Sequence, residues 1–99
     1  MNPKRPPVTF AEAPALWDIE FSDAVIFDRY ARPRDIYEAV TAARTEVGVV
    51  VDRFDSEVRV LYTDDQLLIE KLKERLYEAE VAYVHYHIPK TPQEPYVQA

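Results

Sequence analysis

Cysteine is absent and glycine occurs once, at Gly48, in a chain of 99 residues. Without thiols there is no disulfide framework, no thiolate zinc site and no cysteine nucleophile, a usage that fits a reducing, cytoplasmic setting. With no second glycine beside Gly48 the chain cannot build the Walker or dinucleotide loops, which need several for tight turns and close approach to phosphate. No apolar run reaches membrane-spanning length. Residues 1–10 carry Lys4, Arg5 and prolines where a secretory leader needs an apolar stretch, so no such leader is expected. Positive charge is short as well: 12 bases against 18 acids leave a net charge of −6. Such a field repels nucleic acid and anionic lipid, and neither is expected as a partner. No motif calls for a cofactor.

What is present is the composition of a globular domain, 47% hydrophobic and 30% charged. A chain of this length buries roughly two-thirds of its unfolded surface, enough for one core. Of the 8 prolines all but Pro33 lie at the ends, so the expected organisation is an extended arm over 1–14, a single α+β domain over 15–88 and an extended tail over 89–99. Few Asn, Gln and Met, with proline in the connections, match the composition of heat-stable proteins.

Within the domain, Trp17, Ile19 and Phe21 alternate with Asp18 and Glu20, and the apolar run Ala24 to Phe27 follows, which predicts one long, bent first strand. An extra strand ahead of it is the alternative. Arg32-Pro33-Arg34-Asp35 opens a helix, since proline suits the first helical position and an acid there meets the positive end of the dipole. Ile36, Ala39, Val40 and Ala43 carry it at helical spacing to about Thr45. Val47 to Phe54 and Glu57 to Thr63 read as a hairpin turning at Asp55-Ser56. Thr63-Asp64-Asp65-Gln66 matches a capping box before the amphipathic run Leu68, Ile69, Leu72, Leu76. Val81 to Ile88 is a last strand, stopped by Pro89.

The order strand, helix, strand, strand, helix, strand resembles the ferredoxin-like βαββαβ plait. That resemblance implies an antiparallel sheet in the order 4-1-3-2 with both helices on one face. The plait hosts many unrelated functions, so function must come from particular residues. RNA recognition on this scaffold needs glycine and paired aromatics on the third strand, and Glu57 to Tyr62 lacks both. The segment Val25-Ile26-Phe27-Asp28 looks like the strand-end acid of Cas2-type nucleases, over four residues; the preferred reading of Asp28 is a strand boundary.

Assigning Val58, Val60, Tyr62, Ala82, Val84, Tyr86 and Ile88 to the helix side sends Arg59, Leu61, Val81, Tyr83, His85 and His87 to the open face. That face is too apolar for water alone, and Val49-Val50-Val51 puts valine on both faces of an edge strand. A homodimer through the open face or the edge is therefore expected. Its contact residues would be Val49, Val51, Arg59, Leu61, Tyr83, His85 and His87, with Trp17 and Tyr96 from the arms.

Three smaller features bear on chemistry. His85 and His87 lie two apart on a strand, their side chains on one side and about 7 Å apart. With the last strand antiparallel to the first, Asp23 is the acid placed beside them, giving a candidate metal set of His85, His87 and Asp23. Arg29, Arg32 and Arg34 precede or open the first helix and could hold an anion there, although Asp28, Asp35 and Glu38 are at hand to pair with them. The tail Pro89 to Tyr96 contains P-x-x-P spacings that a polyproline-binding groove could read.

The function expected from these residues is a non-enzymatic interaction or structural module, homo-oligomeric and open to a protein partner. The scarcity of glycine hinges favours that role over a lid-gated enzyme. The alternative is a small-ligand or metal site, with room for enzymatic chemistry, around His85 and His87. A third reading makes the chain an acidic decoy for the basic surface of a nucleic-acid-binding protein.

Overall fold

The structure is a computed structural model that describes residues 17–89. Tyr96, the arm 1–14 and most of the tail lie outside the described residues. Six elements follow in the order β1 (Asp23–Phe27), α1 (Pro33–Val47), β2 (Asp52–Asp55), β3 (Val60–Thr63), α2 (Gln66–Ala79) and β4 (Tyr83–His87). The sheet runs β2-β3-β1-β4, antiparallel at every ladder. This is the ferredoxin-like plait, in the strand order the sequence implies. No described helix is long and apolar enough to cross a membrane.

Local chemistry sets the helix ends. Pro33 opens α1 behind an extended Arg32, and Gly48 closes it at φ 98°, with its amide on the Arg44 carbonyl at 2.9 Å. Only glycine adopts that backbone without strain. α2 begins where the Asp65 carboxylate accepts the Leu68 amide at 3.0 Å. It ends at Glu80, left-handed at φ 59°, whose amide reaches the carbonyls of Leu76 and Tyr77. The capping box expected at Thr63 does not form. The Thr63 hydroxyl instead donates to the Val51 carbonyl at 2.8 Å and accepts from the Asp65 amide at 3.0 Å, so the cap moves to Asp65.

Ile36, Ala39, Val40 and Ala43 of α1 meet Leu68, Leu72 and Leu76 of α2 over Val25, Phe27 and Leu61 of the sheet, all buried. Each such aliphatic side chain contributes about 1.5–3 kcal/mol by leaving water. Phe54 closes one edge of this layer, its ring edge-on to Phe27 at 5.9 Å.

The pairing reverses the expected strand faces. Val25 stands opposite both Leu61 and His85, and Phe27 opposite Tyr83. Leu61, Val81 and Tyr83 therefore pack on the helix side, while Val60, Tyr62, Ile88 and Tyr86 join Phe21, Ala24 and Ile26 on the other. The physical reason is that β1 and β3 are buried on both faces. Without a polar face, alternation has nothing to choose by.

Two further expectations change. Trp17 to Phe21 is not strand: the Phe21 amide bonds the Asp18 carbonyl at 3.1 Å, and the turn swings Trp17 onto Tyr86, with ring centroids 5.6 Å apart. The last β1–β4 bond runs from the Ile88 amide to the Ser22 carbonyl at 2.8 Å, and Pro89 beyond it has no amide to carry the pairing further. Val49 and Val51 precede β2 instead of forming an edge strand, and are 96% and 71% exposed. The hairpin turn is longer than expected, spanning 56–59, where the Asp55 carboxylate accepts the amides of Glu57 and Val58.

Candidate metal centre

Asp23 opens β1 in the middle of the sheet, while His85 and His87 lie on the neighbouring edge strand β4. The ladder places Asp23 opposite His87 and Val25 opposite His85. This is the register inferred from the antiparallel topology. Because Asp23 and Val25 share a side of the sheet, all three polar side chains rise on the helix side, at the end where α2 begins. The rings of His85 and His87 converge to 5.2 Å between centroids.

The Asp23 carboxylate divides its two oxygens. Oδ2 lies 2.7 Å from His85 Nε2 and 2.9 Å from His87 Nδ1. Oδ1 accepts from the Ser22 hydroxyl at 2.5 Å and the Gln66 side-chain amide at 3.1 Å. Burial raises the carboxyl pKa, but the hydrogen bonds from Ser22, His85 and Gln66 and the charge of His87 outweigh it, holding Asp23 below the usual range. Asp23 is therefore an acceptor only, so His85 Nε2 donates to it, while His87 Nδ1 stands in charge contact at 2.9 Å.

Neighbouring backbone fixes this arrangement. The Ser22 amide donates to Asp64 Oδ1 at 2.5 Å, and the Ser22 carbonyl accepts from the Ile88 amide at 2.8 Å, extending the β1–β4 ladder past the histidines. Gln66, the first residue of α2, is placed by the Asp65 cap. Asp23 is almost wholly buried, at 1% exposure. The side chain of His85 is 18% exposed and that of His87 83%. The three candidate ligands thus run from buried Asp23 through mostly covered His85 to exposed His87.

The potential ligand atoms of Asp23, His85 and His87 all lie within 4.8 Å of one another. Two imidazoles and a carboxylate suit zinc and its first-row neighbours, and three protein ligands leave positions for water or substrate. Ser22 and Gln66 hold the idle carboxylate oxygen and so aim the other. Sequence reasoning reaches neither as a site residue, since it places Gln66 in its own helix cap.

This cluster overturns the expectation of a non-enzymatic module, and with it the exclusion of enzymatic chemistry. A buried carboxylate sharing one oxygen between two imidazoles is not the apolar packing of histidines at a sheet interface.

The other singled-out residues lie elsewhere. Arg32 pairs with Asp35 at 3.1 Å and Arg34 with Glu38 at 3.3 Å along α1, both exposed, while Arg29 is exposed in the preceding turn. Arg59 sits in the β2–β3 turn, its Nη1 donating to the carbonyls of Asp28 and Ala31 at 3.2 and 2.7 Å. Leu61 and Tyr83 belong to the helix-side core. Asp28 Oδ1 accepts the Tyr30 amide at 3.2 Å, as a strand-boundary residue does. No known protein family, curated protein or solved structure matches the chain.

Proposed function

We propose that the protein binds a divalent transition-metal ion of the zinc class through Asp23 Oδ2, His85 Nε2 and His87 Nδ1. The observation that carries this reading is the sharing of one carboxylate oxygen by two imidazole nitrogens at 2.7 and 2.9 Å. An ion would take the place of the His85 hydrogen bond and the His87 contact, each neutral ring presenting its bare nitrogen and keeping its proton on the other nitrogen. Histidine 87 faces water, so the ion has an entry path, and Ser22 and Gln66 keep the carboxylate in place as it enters. The ion would retain coordination positions for water or substrate, where a metal of this class polarises an oxygen or lowers the pKa of bound water. Hydrolytic chemistry is accordingly part of the proposal.

Calorimetric titration of the full chain with zinc, nickel and manganese tests it. The expected result is one ion per chain with zinc or nickel, weaker binding of manganese, and no binding by the His85→Ala/His87→Ala double variant. No heat from the native protein, or equal heat from the double variant, overturns the reading.

A further inference from the structure

At the opposite end of β1 from Asp23, a cavity of about 310 Å³ opens between the first turn of α1 and the β2–β3 hairpin. Its lining includes Ile36, Phe54 and Tyr37 with the guanidinium-bearing Arg34 and Arg59. Ile36 is 2% exposed, so the floor is the edge of the core itself. The size lies at the lower end of small-molecule sites, which are apolar with a few placed polar groups.

Its charge is unlike that of the chain. The protein carries a net charge of −6, yet two arginines border this cavity, and the positive end of α1 adds to them. The two are held differently. Arg59 is fixed, with Nη1 on two backbone carbonyls, and it occupies a left-handed position at φ 60° where glycine or asparagine is ordinary. Arg34 is loose: its partner Glu38 is one helical turn away and both side chains are largely exposed, an ion pair easily given up to another anion. An apolar floor bordered by one fixed and one movable arginine suits an apolar acid.

We propose that this cavity binds a small carboxylate with a compact aromatic or branched apolar body, the body against Ile36 and Phe54 and the carboxylate between Arg34 and Arg59. The site is independent of the metal centre and takes no ligand from it.

Naphthoate is the probe, with naphthalenemethanol as its neutral counterpart, each titrated into the isotope-labelled full chain and followed by amide NMR. Expected are saturable shifts at Ile36, Tyr37, Phe54 and Arg59, with the alcohol binding about tenfold more weakly. Arg34→Gln should lose several-fold in naphthoate affinity and leave the alcohol unchanged; its exposed site keeps the fold intact. Glu70→Gln, on the exposed face of α2 and outside both sites, should bind naphthoate as the native chain does. Equal binding of acid and alcohol, shifts located elsewhere, or no saturation at millimolar probe overturns the proposal.

Discussion

Asp23 and His87 face one another across the β1–β4 ladder, one side chain buried and the other 83% exposed, yet joined at 2.9 Å. The contact carries a core carboxylate to the protein surface. His85 makes the same contact from a more covered position, at 2.7 Å.

The two histidines should therefore separate binding from stability. Either His85→Ala or His87→Ala is expected to weaken zinc binding by about 100-fold or more, since each removes a direct ligand from a set whose outer partners alone are worth about 10–100-fold. Only His85→Ala should also destabilise the metal-free fold appreciably, by about 1–3 kcal/mol, because it strips a hydrogen bond from a buried charge. Urea unfolding beside calorimetry checks both. Equal loss of stability in the two variants would contradict the burial asymmetry.

Acid should act on the metal-free protein through Asp23. Its folded pKa is lowered, so the ionised carboxylate favours the folded state. That contribution is fully present above the unfolded value of about 4 and disappears as pH falls through the lower folded value. Asp23→Asn should be less stable near neutrality and lose stability less steeply below about pH 4. Denaturant midpoints across an acid series measure the difference.

Tyr62 sets the matching limit in base. It lies beneath Phe21, with ring centroids 6.3 Å apart, and burial, then the charges of Asp18 and Asp55, push its phenol above the ordinary value. The neutral phenol favours the folded state, so its contribution is present below about pH 10 and is lost as pH rises through the folded value. Tyr62→Phe should flatten the alkaline decline in melting temperature. A wild-type profile followed without change would refute this.

The order of elements was legible because each boundary has its own chemistry: Pro33 at a helix start, Asp55 in a turn, Pro89 after a strand. The candidate metal residues were legible through register, since antiparallel pairing alone sets Asp23 beside His87. Strand faces were not, because Val25, Ile26, Val60 and Leu61 are all buried and no polar alternation marks a side. Ser22 and Gln66 were hidden for a different reason. Ser22 falls at the bend of the expected first strand and Gln66 in the expected helix cap, and only tertiary placement turns both toward the Asp23 carboxylate.

Arg44 and Asp52 tie the end of α1 to the start of β2 by two hydrogen bonds, at 2.9 and 2.5 Å, with the Asp52 side chain 5% exposed. Arg44→Ala should cost about 1.5–3 kcal/mol by leaving a buried carboxylate short of donors. Arg44→Lys should recover only part of that, because an ammonium cannot match both oxygens in a fork. Chemical denaturation of the three proteins decides it, and full rescue by lysine would show that charge alone suffices.

Glu80 closes α2 in a left-handed conformation and is exposed, outside both the candidate metal cluster and the lining of the arginine-bordered cavity. A side chain held there works against its own backbone. Glu80→Gly should raise stability by roughly 0.5–2 kcal/mol, the usual yield of an improved helix end. The chain therefore offers engineers a way to strengthen the scaffold first and then reshape either site, with new ligands or new specificity, on a frame that tolerates the change.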